Sequence, residues 1–80
     1  MTFTKWLDTL ISEKGIDLEA MFEVEGPNGL NIMPYQMVID AIKGATTGEQ
    51  KMIQTKLVQV DCANGDIRHF FRFLAVKLAR

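Results

Sequence analysis

The chain has 80 residues, 48% hydrophobic and 24% charged, with a net charge of −1. That size and balance describe one small globular domain, residues 1–80, and exclude a disordered or low-complexity chain. The lone cysteine, Cys62, excludes an internal disulfide. The charge is unevenly spread. Residues 1–40 carry two lysines against seven acids, and residues 41–80 carry seven basic residues against three acids. Such asymmetry marks either a partner surface or two halves that attract each other within the fold.

The first stretch, MTFTKWLDTLISEKG, interrupts its apolar residues with Lys5, Asp8 and Glu13 and does not read as a signal peptide. No run approaches the roughly 18 apolar residues of a membrane span. With an unpaired cysteine, the expectation is a cytoplasmic protein without membrane association.

Phe3, Trp6, Leu7, Leu10 and Ile11 fall on one helical face. Thr2 is the candidate N-cap, and Gly15 suits a left-handed C-terminal position with Ile16 folding back onto Ile11. Asp17 then stands where it would cap a short second helix, with Glu19 in its first turn. Phe22 and Val24 alternate with Glu23 and Glu25, and Leu30 and Ile32 flank Asn31. The Gly-Pro-Asn-Gly between them predicts a β-hairpin near residues 22–32. Such a hairpin must lie against helices to persist.

Pro34 fits the first turn of the next helix, whose face holds Tyr35, Val38, Ile39, Ile42 and Ala45; Gly44 ends it. Thr46 and Glu49 have capping-box spacing. They open a helix to about Val60, with Ile53, Leu57 and Val60 inward and Met52 at the edge. Asn64-Gly65 breaks the chain, and Asp66 caps a last helix. The Asn-Gly pair is also a hairpin signal. The apolar spacing beyond it favours helices. The fold class predicted is mainly α: a compact bundle of four to five short helices with one small β-hairpin.

On the last helix, Ile67, Phe70, Phe71, Leu74, Ala75 and Leu78 form the core stripe. Phe73 points elsewhere, with His69, Val76 and Arg80, and Arg68 and Arg72 flank it. An exposed phenylalanine among basic and polar groups reads as a contact patch, unless the 22–32 segment covers it.

Other chemistries fit poorly. Cys62 and His69 lack an orienting third group for a nucleophile–base pair. DCANGD has Ala63 where a calcium loop needs an oxygen ligand. One cysteine and one histidine do not make a zinc site, and GPNGLN lacks the ending of a phosphate loop.

The expectation is a non-enzymatic interaction module with no cofactor and no metal. It would resemble in size the accessory or inhibitor proteins of phages and mobile elements, which is analogy only. It would bind a protein partner, or a second copy, through His69, Arg72, Phe73, Val76 and Arg80, or through the acidic Asp17, Glu19, Glu23 and Glu25. The alternative is a nucleic-acid-binding helical domain reading through Gln50, Lys51, Gln54 and Thr55 in the basic half, against which the near-neutral overall charge weighs.

Overall fold

The computed structural model describes residues 2–78. The elements in chain order are α1 (Phe3–Lys14), β1 (Met21–Gly26), β2 (Gly29–Pro34), α2 (Tyr35–Lys43), α3 (Thr47–Cys62) and α4 (Ile67–Leu78). The fold is mainly α, with four helices and one antiparallel hairpin among the described residues. None of these helices is long and apolar enough to cross a membrane.

Local chemistry sets the helix ends. Thr2 accepts from the Lys5 N–H at 3.2 Å. Gly15 takes the left-handed conformation, and the Gly15 and Ile16 N–H groups return to Ser12 and Ile11, a Schellman closure. Thr46 and Glu49 form the full capping box at the start of α3. At its other end Asn64 is left-handed, with the Asn64 and Gly65 N–H groups returning to Asp61 and Val60. This second Schellman closure uses asparagine where glycine is commoner. Asn64-Gly65 therefore ends one helix ahead of another and does not turn a hairpin.

The expected short helix after Asp17 does not form; the chain there makes a turn and enters β1 at Met21. The physical reason lies in α2. Pro34 stands at the extended N-cap position just before it, not in its first turn as expected, and provides no side-chain cap. The free N–H groups of Tyr35 and Gln36 bond instead to the carbonyls of Ala20 and Leu18, at 3.2 and 2.9 Å. Those carbonyls serve another helix's orphan donors and so are not spent on a helix of their own. Asp17 accepts from the Glu19 N–H at 3.0 Å and stabilises the turn.

The hairpin pairs Phe22 with Met33, Glu23 with Ile32, Val24 with Asn31 and Glu25 with Leu30. Pro27 cannot adopt the positive φ of a primed turn, and Gly29 supplies the positive φ instead, at 108°. Phe22, Val24 and Met33 face inward; Leu30 and Ile32 face out.

One cluster forms the core: Leu7, Leu10 and Ile11 of α1, the inner hairpin residues, Tyr35, Val38, Ile39 and Ile42 of α2, Leu57 of α3, and Ile67, Phe71 and Ala75 of α4. α4 packs against α2, α3 and β1. Phe71 is fully buried, whereas Phe73 is 55% exposed. An 80-residue domain holds about 4–12 kcal/mol of net stability. Phe71→Ala should remove about 3–5 kcal/mol of it, while Phe73→Ala should cost less than about 1 kcal/mol. Urea unfolding of both variants checks this; equal losses would place Phe73 in the core.

Candidate surface on the last helix

Twelve residues of α4 project in all directions, and the neighbours decide what each direction means. Ile67, Phe71 and Ala75 point into the core. On one flank, the Arg72 Nε–H donates to the Tyr35 hydroxyl at 3.1 Å, and the guanidinium stands 6.0 Å from the centre of the Phe22 ring. Phe22 and Tyr35 themselves stack at 4.5 Å between centroids. Arg72 thus ties α4 to the hairpin and α2 and turns away from Phe73.

On the other flank α4 faces α3. Phe70 and Phe73 lie 6.4 Å apart between centroids, and the Lys77 ammonium stands 4.7 Å from the centre of the Phe73 ring. Met52 and Lys56 of α3 complete an open, mostly apolar cleft of about 250 Å³ with them. A second cleft of about 260 Å³ reaches Ala41 and Ala45 and shares Glu49, Ile53, Leu74 and Lys77 with the first. Together they form a groove along α3 and α4. Met52, like Phe73, is more than half exposed.

The residues singled out in sequence are therefore distributed as follows. Phe73, His69 and Val76 lie on one solvent-facing stripe of α4, one or two turns apart, and the hairpin does not cover it. Arg72 belongs to the opposite flank. Arg80 and the Leu78 side chain lie outside the described residues. Asp17 and Glu19 sit in the turn before β1, and Glu23 and Glu25 project from its outer face; all four are exposed. Cys62 ends α3 and His69 lies in the first turn of α4. Both are exposed, and no hydrogen bond joins them among the described residues. Of the four side chains offered for base reading, Gln50 donates to the Lys43 carbonyl and Thr55 to that of Lys51. Gln54 is half-buried, and Lys51 is exposed.

Sequence reasoning missed the partners of Phe73. Met52 stood only at the edge of the predicted α3 face, and Lys56 was not singled out. It also missed Leu30 and Ile32 as surface residues, 65% and 64% exposed. Three ion pairs are present among the described residues: Lys14–Asp61, Lys43–Asp8 at 2.7 Å and Arg68–Asp66 at 2.7 Å. Only Lys43–Asp8 joins an acid of the first half to a base of the second. Glu23 and Glu25 on one side, and Lys56 and Lys77 on the other, stand outside these pairs. Among the described residues no three His, Cys, Asp or Glu side chains gather as metal ligands would.

No family model, curated protein or solved structure matches this chain.

The start of α4, which aims this surface, is held by Asp66. Its carboxylate accepts from the Arg68 N–H at 2.9 Å and from the Arg68 guanidinium at 2.7–3.0 Å. These bonds favour the ionised form, with the side-chain contact dominant, and lower the Asp66 pKa from 3.8 to about 2. A carboxylate with a depressed folded-state pKa stabilises the fold above its unfolded pKa and loses that contribution as pH falls through the folded one. The loss from Asp66 therefore falls between about pH 4 and pH 2. Asp66→Asn should flatten the decline in melting temperature over that window relative to wild type. Parallel curves would show that the Asp66–Arg68 contact does not stabilise the helix start.

Proposed function

We propose that this chain is a small protein-binding module whose α3–α4 groove, centred on Phe73, holds an apolar segment with acidic flanks. The observation that carries the reading is Phe73 itself. It is an aromatic ring more than half exposed, set beside Met52 over an apolar cleft and rimmed by Lys56 and Lys77, with one acid, Glu49, whose carboxylate is engaged by Thr46 in the capping box. Covering apolar area contributes about 25 cal/mol per Å², so a ring left in water is a reservoir of binding energy. Aromatic residues with a charged rim are the usual anchors of protein interfaces. The lysines favour an acidic partner and steer its approach, adding more to rate and choice than to affinity. Lys77, already close to the Phe73 ring, keeps that ring oriented at the surface.

The groove suits a peptide or helix better than a small molecule. Each cleft is open and near 250 Å³, below the roughly 300–1,000 Å³ of most ligand pockets. Its length along two helices supports helix-in-groove recognition, where apolar side chains at helical spacing enter a long depression.

Selection of random peptides on the immobilised protein tests the reading. The selected sequences should combine large apolar residues with Asp or Glu, and Phe73→Glu should weaken them at least about tenfold, a change of about 1.4 kcal/mol. Phe73→Ala should weaken them less, since it removes the ring without adding a charge. Basic peptides, or peptides indifferent to both substitutions, would remove the groove as the site. Binding of DNA or RNA at low salt that fades steeply as salt rises would favour the nucleic-acid alternative instead.

A further inference from the structure

The hairpin carries a second unpartnered face, and its chemistry is the reverse of the groove's. Met21, Leu30 and Ile32 stand on it 58–65% exposed, interleaved with Glu23 and Glu25. Cross-strand partners share a face, so each glutamate sits directly opposite an exposed aliphatic side chain: Glu23 against Ile32 and Glu25 against Leu30. This is an apolar surface with acidic flanks, the chemistry that the groove fits.

We propose that the outer face of the hairpin of one copy docks into the α3–α4 groove of another, giving head-to-tail self-association. The proposal rests on the groove being a protein-binding site and names its occupant. Charge selects this pairing over the symmetric ones. Hairpin against hairpin would bring four glutamates together, and groove against groove would bring together two lysines, Lys56 and Lys77, and one acid, Glu49, from each copy, a net positive charge on both sides. Hairpin against groove sets Glu23 and Glu25 near Lys56 and Lys77. Dimensions agree as well. Six residues of strand span about 20 Å, and the twelve residues of α4 span about 18 Å. A contact confined to one hairpin face and one groove falls below the roughly 1,200–2,000 Å² buried in a standard interface, so the association is weak and concentration-dependent. Because donor and acceptor are different patches, a single contact leaves one of each free, and the assembly either closes reciprocally at two copies or grows into rings or chains.

Sedimentation of the full chain from about 10 μM to about 1 mM brackets a contact of this strength. The wild-type mass should rise with concentration to that of a dimer or beyond. Ile32→Lys, which spoils the hairpin face, and Phe73→Glu, which spoils the groove, should each be monomeric. Their equimolar mixture should form a dimer and stop there, since each supplies the patch the other lacks. Both positions are over half exposed and circular dichroism should show both variants folded; Leu30→Lys or Met52→Glu replaces either one that is not. A wild type that stays monomeric, or variants that fail to complement, would overturn the proposal. If the protein is monomeric yet still binds acidic peptides through Phe73, self-docking falls and the groove reading stands. If those peptides fail too, the groove reading falls with it.

Discussion

Burial of Ile67, Phe71 and Ala75 fixes the rotation of α4, and the rotation decides everything displayed on its surface. Successive residues on a helix turn by about 100°, so a stripe aimed at the core leaves its two flanks no freedom. Arg72 must then emerge toward the hairpin and Phe70 toward α3. The structure uses the first flank internally: Arg72 reaches the Tyr35 hydroxyl beside the Phe22–Tyr35 stack. The second flank is closed only in part, because α3 offers Met52 and Lys56 there and no larger side chain that would cover Phe73. The exposed Phe73 face is thus a consequence of packing. Rotating α4 enough to bury Phe73 would expose Phe71, at a cost of about 2–3 kcal/mol for that ring alone.

Much of the fold is legible in the sequence, where its determinants are local. Thr2, Gly15 and the Thr46–Glu49 pair are caps whose partners lie within four residues, and each forms as the spacing implies. The segment after Asp17 is different. Its propensity favours a helix, but its carbonyls are taken by Tyr35 and Gln36, fifteen and eighteen residues away. No local pattern carries that information. Phe73 was legible as a residue left over from the core stripe, but its exposure was not, because spacing alone does not say whether the 22–32 segment covers it. The neighbours of Phe73 were not legible either, because Met52 and Lys56 come from another helix. Arg72 looked equivalent to Arg68 from spacing alone. Yet Arg72 bonds to a tyrosine 37 residues earlier, while Arg68 bonds to Asp66 two residues before it.

The outer face of the hairpin was within reach of simple counting. A two-residue turn at Pro27-Asn28 sets Gly26 opposite Gly29 and therefore Glu25 opposite Leu30. Directly paired residues lie on the same side of a sheet. Phe22 and Val24 therefore cannot share a side with Leu30 and Ile32, and one apolar pair must face solvent. The larger Phe22, able to stack on Tyr35, takes the inside. Asn31 and Met33 follow it inward in register, Met33 buried and Asn31 at the exposed end. The apolar pattern on both strands hides this choice; the turn length reveals it.

A two-stranded sheet with an apolar outer face and open edges invites uncontrolled association. Here Glu23 and Glu25 occupy the strand positions where another hairpin would approach, so like charge opposes symmetric stacking of these faces. That opposition is modest at a solvated surface, where a single pair is worth at most about 1 kcal/mol and is screened by salt. It is enough to rank alternatives of similar apolar area, which is all that choosing a partner requires. The uneven spread of charge along the chain can be understood on the same terms. Of the three ion pairs among the described residues only Lys43–Asp8 joins an acid of the first half to a base of the second. Its effect is to give one apolar surface a negative border and the other a positive one. On the proposed reading, two exposed apolar faces on one small domain would then differ in the company each accepts.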